Sequence, residues 1–240
     1  MQDYSQYQQF AKDVLGIEFK DLTLLVTAFT HRSYVNEHKK TARVHNERLE
    51  FLGDAVLELA VTEYLYTSFS EPEGILTNWR SALVRTESIG EAAAKNGFEP
   101  LLRLSRGEKR GTQRARIQIL ANSYEAVIGA IYMDQGYEPA RDFIKRTLLS
   151  TLPSILETGS WMDPKSHLQE LAQSAEGFTP IYKVLAEEGP DHDKMFTIGV
   201  FVNGVIRGKG SGPSKQIGQQ QAAERALEYY KNLMPTPDNN

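Results

Sequence analysis

From residue 3 to residue 152, apolar side chains recur at three- and four-residue steps, and no convincing run alternates with a period of two. That spacing predicts a succession of helices, at roughly 4–15, 21–29, 45–67, 74–96, 115–135 and 137–150. The pattern changes after "LPSILETGSWMDP", whose proline, glycine and serine predict a linker over 153–162. Residues 163–233 then read as a helix, three strand-like runs with "VNGV" as the hairpin turn between the last two, and a closing helix. Residues 234–240, "MPTPDNN", form a polar tail. The expected fold is therefore an all-α domain over 1–152 followed by a small α+β domain of α-β-β-β-α order, with no internal repeat.

Composition narrows the chemistry. The chain of 240 residues contains no cysteine, which excludes disulfides, thiolate nucleophiles and cysteine-held zinc. No run approaches the roughly 20 apolar residues of a membrane span, and the polar N-terminus, "MQDYSQYQQFAKDVLG", lacks the form of a secretory signal. A cytoplasmic protein without membrane attachment or small-molecule cofactor is expected. The net charge of −4 does not advertise a nucleic-acid partner, so charge has to be read segment by segment.

The segment "HNERLEFLGDAVLE" is apolar enough for a core helix but carries Glu47, Glu50, Asp54 and Glu58. At about 100° per residue these acids fall within an arc of ~80°. Leu49, Leu52, Val56 and Leu59 lie opposite, and Phe51 and Leu57 flank the stripe. An acidic stripe on a largely apolar helix is either a solvated face paired with arginines or an interior stripe that needs a cation, and the flanking Phe51 and Leu57 favour the interior. A second helix, "ILANSYEAVIGAIY", places Asn122 and Glu125 one turn apart, with Gly129 a turn later where a missing side chain lets another helix approach. Two such helices crossing would form an oxygen-lined pocket suited to Mg²⁺ or Mn²⁺. Just before it, "RLSRGEKRGTQRAR" holds Arg103, Arg106, Lys109, Arg110, Arg114 and Arg116 against a single acid, Glu108. A charge run is ordinarily a solvated loop, but beside an acidic pocket it suggests a polyanion guided onto a metal.

These segments resemble the bacterial ribonuclease III family. "NERLEFLGDAVLE" is similar to that family's signature, and "AFTHRSYVNE", "EGILTNWRSALV" and "ILANSYEAVIGAIYMDQG" to its other blocks. "DPKSHLQELAQ", "GPDHDKMF" and "GSGPSKQIGQQQAAERAL" resemble a double-stranded-RNA-binding domain, and the likeness extends over roughly residues 5–232. The resemblance implies a homodimeric, divalent-metal-dependent endoribonuclease (Mg²⁺, with Mn²⁺ able to substitute). It would cut double-stranded RNA to 5′-phosphate and 3′-hydroxyl ends, in ribosomal RNA precursors and some messenger RNAs. By motif, Glu50 and Asp54 match metal-binding acids and Glu125 the essential acid, so Asp54 and Glu125 are the catalytic candidates. Glu50, Asp54, Asn122 and Glu125 are the metal candidates, Glu47 and Glu73 match supporting acids, and Phe51 matches a dimer-interface aromatic. Ser166, Gln169, Glu170 and Gln173 match the helix face that reads 2′-hydroxyls, His192 a loop entering the next minor groove, and Lys215 a phosphate-holding lysine.

The chain departs from the family pattern twice. Asn122 stands where an aspartate is usual, which should lower metal affinity. The rival reading that follows is a double-stranded-RNA binder with weak or absent cleavage, disfavoured because Glu50, Asp54 and Glu125 are retained. A phosphohydrolase of small nucleotides is disfavoured by the second domain. Gln216 and Gln219 stand where lysines are common, and residues 163–240 carry 8 Lys and Arg against 10 Asp and Glu, which predicts weak, less salt-sensitive RNA binding. His31, His38 and His45 lack clustered ligand spacing, so zinc is the weaker reading.

Overall fold

Helix α7 (Gln113–Gln135) is the central element of the first half of the chain, buried almost continuously from Ile119 to Ile131. The computed structural model describes residues 4–190 and 194–233, which divide after Thr158 into two units. The first begins with α1 (Ser5–Phe10), prolonged by a π-turn over Ala11–Leu15, and continues through α2 (Leu22–Ala28), α3 (Arg32–Glu37), α4 (Glu47–Ser68), α5 (Glu73–Val84) and α6 (Thr86–Lys95) to α7. It ends with α8 (Tyr137–Thr147) and α9 (Leu152–Thr158). An apolar helix hydrophobic on all sides belongs in an interior, and α7 packs against α2, α4, α6 and α8. A ring cluster of Tyr7, Phe10, Phe29, Phe98, Tyr124 and Phe143, with neighbouring centroids 5.1–5.8 Å apart, fills the space between these helices.

The contact between α4 and α7 is made backbone to backbone. A Cβ built on Gly53 would run into the carbonyl of Glu125, and one on Gly129 into the carbonyl of Leu49. Gly129 was expected to permit this approach; Gly53, its counterpart inside the acidic signature, was not recognised. Together they let the two helices carrying the candidate acids cross at minimal distance.

Three local features differ from the sequence expectations. The helix expected at 74–96 is two helices, because Arg85 is extended at ψ 151°. There Ser88 Oγ donates to the Ala82 carbonyl at 2.8 Å and accepts from Arg85 Nε at 3.1 Å, offering the chain local bonds in place of helical ones. Helix α3 was not foreseen; its N-cap is His31, whose ring accepts from the Ser33 amide. The segment expected to be a linker, 153–162, is helical through Thr158, with Leu152 and Ile155 buried and α9 packed against α5.

The second unit contains α10 (Pro164–Glu176), strands β1 (Ile181–Glu188), β2 (Met195–Val202) and β3 (Val205–Gly212), and α11 (Lys215–Leu233). The sheet is antiparallel in the order β1-β2-β3, with an irregularity between Val184 and Ala186 on the β1 edge. Asn203 and Gly204, at φ 50° and 76°, form the two-residue hairpin that "VNGV" predicted, a turn that needs positive φ at both central positions. Leu168 and Ala172 of α10, Ile198, Val200 and Val202 of β2, and Ala222, Ala223, Ala226 and Tyr230 of α11 form its core. Small residues keep the layers close: Cβ atoms on Gly208 or Gly210 would strike the α11 backbone. Arg207 ties the layers at one end, donating to Glu176 at 2.8 Å and to the Tyr229 hydroxyl at 2.9 Å.

Candidate active site

The α4–α7 crossing brings Glu50 and Asp54 of one helix beside Asn122 and Glu125 of the other. Glu50 and Glu125 are half-buried, while Glu47 and Asp54 are exposed. None of Glu50, Asp54 and Glu125 forms an ion pair among the described residues. Burial first, then the charges of Asp54 and Glu50, push the Glu125 carboxyl up to about 8. Burial, then Glu47 and Asp54, also raise Glu50, partly offset by a hydrogen bond from Asn122. Asp54 and Glu50 therefore both act on Glu125, and Asp54 on Glu50, with no ion pair to offset them among the described residues.

As the side chains stand, no three His, Asp or Glu among the described residues are gathered tightly enough to hold a metal ion. The acids that meet at the crossing are Glu50, Asp54 and Glu125. Their oxygen-only donor set and the raised Glu125 are nevertheless what a hard divalent cation would relieve, so the residues fit Mg²⁺ or Mn²⁺.

Asn122 is engaged at both ends of its amide. A carboxylate only accepts, so the amide nitrogen faces Glu50, and its Oδ1 accepts from Gln118 Nε2 at 2.7 Å. Gln118 escaped the sequence reading, although its position four residues before Asn122 is the spacing at which helical side chains meet.

The interior position expected for the acidic stripe needs correction. Leu57 is buried on one flank, but Phe51 on the other is 82% exposed, as are Leu59 at 58% and Tyr66 at 78%. One side of the stripe thus borders an open apolar face of α4. Glu58 belongs to structure, pairing with Arg80 Nε at 3.3 Å, and Glu47 pairs with Arg32 at 3.3 Å. Glu73 is not brought to the cluster within one chain. It starts α5 and lines a groove of about 510 Å³ with Leu65, Tyr66, Phe69 and Arg80, about 18 Å along α4 from Asp54 at 1.5 Å per residue.

The basic loop divides in two. Arg103 lies over the Tyr34 ring at 4.4 Å, Arg106 pairs with Glu37 at 3.8 Å and Arg116 with Glu99 at 3.3 Å. Lys109, Arg110 and Arg114 are exposed and make no ion pair among the described residues. The three histidines are occupied locally: His31 Nδ1 lies 2.8 Å from Ser33 Oγ, His38 stacks on Tyr34 at 4.1 Å, and His45 lies 3.8 Å from Glu47. In the second unit Ser166, Gln169, Glu170 and Gln173 all lie exposed on the face of α10 opposite Leu168 and Ala172, and Lys215 opens α11. His192 lies outside the described residues.

The family model described as Ribonuclease-III-like matches residues 21–152, and that of the double-stranded RNA binding motif matches 164–230. Ribonuclease 3 of Enterococcus faecalis is 44% identical over 221 residues, covering 90% of this chain and 94% of that protein. This chain belongs to the ribonuclease III family. Ribonuclease 3 of Carboxydothermus hydrogenoformans is 46% identical over 221 residues, covering 91% and 94%. A solved nuclease domain of ribonuclease III from Campylobacter jejuni superposes with a TM-score of 0.54 at 38% identity, over 60% of this chain and 98% of that one. The expected fold, a helical ribonuclease III domain followed by a double-stranded-RNA-binding domain, is the observed one. Endonucleolytic cleavage of double-stranded RNA is the activity these matches support, and a purely RNA-binding role is not favoured. Among the described residues no helix is long and apolar enough to cross a membrane.

The raised Glu125 has a consequence for stability. The folded, metal-free ribonuclease III domain holds this proton up to about pH 8, whereas an unfolded carboxylate releases it near the ordinary 4.5. Folding therefore binds protons in this window, and stability should fall as pH rises through it. In EDTA the melting temperature is expected to fall steadily as pH rises between those limits. The drop should shrink in Glu125→Gln or on adding Mg²⁺. Parallel melting curves for the wild type and the variant would refute this.

Proposed function

We propose that this chain hydrolyses double-stranded RNA at the α4–α7 crossing, with Glu50, Asp54 and Glu125 holding a divalent cation, Mg²⁺ or Mn²⁺. The observation that carries this reading is a backbone-close helix crossing that sets Asp54 and Glu50 near enough to the half-buried Glu125 to raise it. When bound, such a cation supplies positive charge at the scissile phosphate and lowers the pKa of water. The protein's own part is to fix the oxygens. Gln118 holds the Asn122 oxygen and Asn122 donates to Glu50, which restrains the Glu50 carboxylate. Asn122 is in this reading an orienting residue and not a metal ligand. Lys109, Arg110 and Arg114, which precede Asn122 on the loop and first turn of α7, attract the RNA backbone.

A homodimer is the assembly this reading favours. Phe51, Leu59 and Tyr66 expose a stripe of apolar surface along α4 that water opposes and a second copy would cover. Phe51 is its largest protruding side chain at the acidic end. Glu73, exposed on the groove at the other end of α4, serves the acids of its own chain poorly.

The test is cleavage of a uniform RNA duplex across a Mg²⁺ titration, wild type beside Asn122→Asp. The substitution adds a negative charge next to Glu50, and Gln118 can still donate to the new carboxylate. Half-maximal cleavage is expected at about three- to tenfold lower Mg²⁺. An unchanged metal requirement would remove Asn122 from the site, and absence of metal-dependent cutting in both proteins would overturn the function.

A further inference from the structure

Glu187, near the end of the edge strand β1, stands between two lysines. Its Oε1 lies 3.4 Å from Lys215 Nζ and its Oε2 lies 3.5 Å from Lys194 Nζ. Both ammonium groups also sit over the Phe196 ring, at 5.4 and 6.0 Å from its centroid, and Phe196 is the β2 residue paired with Glu187 in the sheet register. The cluster is at the surface, with side chains 38% exposed for Glu187, 35% for Lys194 and 56% for Lys215. An ion pair this open contributes little to stability, so its geometry invites another explanation. Carboxylate and phosphodiester present the same feature to a lysine, two oxygens sharing one negative charge.

We propose that Glu187 is an internal stand-in for an RNA backbone phosphate, occupying the lysine pair Lys194–Lys215 and lowering the affinity of this domain for duplex RNA. The inference rests on the reading of residues 164–230 as the double-stranded-RNA-binding unit. A phosphate reaching Lys215 must displace this carboxylate or bind against its charge. Gln216 and Gln219 on the first turns of α11 supply no cations of their own, so Lys215 and Lys194, with Lys165 at 2.9 Å from Gln219 Oε1, provide positive charge at this end of the helix. The Phe196 ring beneath them keeps the two ammonium groups in place once the carboxylate is displaced. Glu187 therefore sets both the strength and the salt dependence of RNA capture by this unit.

The experiment is fluorescence anisotropy of a labelled 30-base-pair RNA duplex with the full-length protein in EDTA, where no cutting occurs, at several salt concentrations. Glu187→Gln is expected to bind about three- to tenfold more tightly than wild type at low salt, with a log–log salt slope steeper by up to about one. Lys215→Gln is expected to weaken binding, and adding Glu187→Gln to it should recover less than Glu187→Gln gains alone. Glu187→Ala serves as the second variant and should act in the same direction. Unchanged or weaker binding by folded Glu187→Gln and Glu187→Ala sinks the proposal while leaving the RNA-binding reading intact. Loss of folding in both variants would make the cluster a structural staple and equally overturn it. No duplex binding by any of the proteins would bring down the reading together with the proposal.

Discussion

Glu125→Gln is expected to reduce cleavage of duplex RNA by about a thousandfold or more, the scale of losing charge stabilisation worth several kcal/mol in a metal-assisted site. The substitution keeps the shape of a half-buried side chain and removes only its charge. Among the described residues Glu125 is the carboxylate most displaced from ordinary behaviour, pushed to about 8 by burial and by Asp54 and Glu50. In the absence of metal its ionised form is unfavourable, so the variant should be no less stable than wild type in EDTA. Duplex binding in EDTA should also be unchanged, because the substitution leaves the positions proposed to meet RNA, on α10 and α11 and at Lys109, Arg110 and Arg114, untouched. Single-turnover cleavage and anisotropy on the same preparation separate the two properties. Cleavage within about tenfold of wild type would remove Glu125 from the chemistry.

Gly129→Ala should damage both stability and activity. A Cβ there meets the Leu49 carbonyl, and the obstacle is backbone, which cannot rotate away. Overpacking costs about 1–3 kcal/mol and more where nothing yields, so a loss of about 3 kcal/mol is expected for the nuclease unit. For a chain of this size that corresponds to a drop of roughly 6–12 °C in melting temperature. Gly53→Ala should behave alike, its Cβ meeting the Glu125 carbonyl. Relief of the clash requires α4 and α7 to separate. Because Glu50 and Asp54 ride on one helix and Glu125 on the other, a separation of about 1 Å should lower cleavage by about a hundredfold even where the protein still folds. Gly74→Ala is the control: its Cβ would meet nothing within 4 Å, and the change should be neutral or slightly stabilising. Equal melting temperatures for Gly129→Ala and Gly74→Ala would refute the close-crossing argument.

Helical periodicity, the "VNGV" turn and the motif blocks were sufficient to anticipate the two units and their order, because those signals depend only on neighbours along the chain. Boundaries decided by distant packing were not. Arg85 breaks a pattern that reads as continuous, and α9 is helical where proline and glycine suggested a linker, because Leu152 and Ile155 find a buried surface. The acids show the same division. Their clustering on one face of α4 follows from 100° per residue, but their exposure does not. Phe51 looked like a flank of an interior stripe and is solvent-facing in the single chain. Glu73, read beside the other acids, starts a helix at the far end of α4.

The order of amino acids by itself determined which residues could act: three retained carboxylates, an amide in place of a fourth, glycine at 129, and a helix–sheet–helix unit poor in lysine. The tertiary structure alone decided which of them meet and what each meeting does. It placed Gly53 against Glu125, gave the Asn122 amide its two partners in Gln118 and Glu50, and set Glu187 between Lys194 and Lys215. Periodicity reports the direction in which a side chain leaves its own helix or strand. Burial, pairing and proton affinity depend on what stands across from it, and that is supplied by residues far away in the chain.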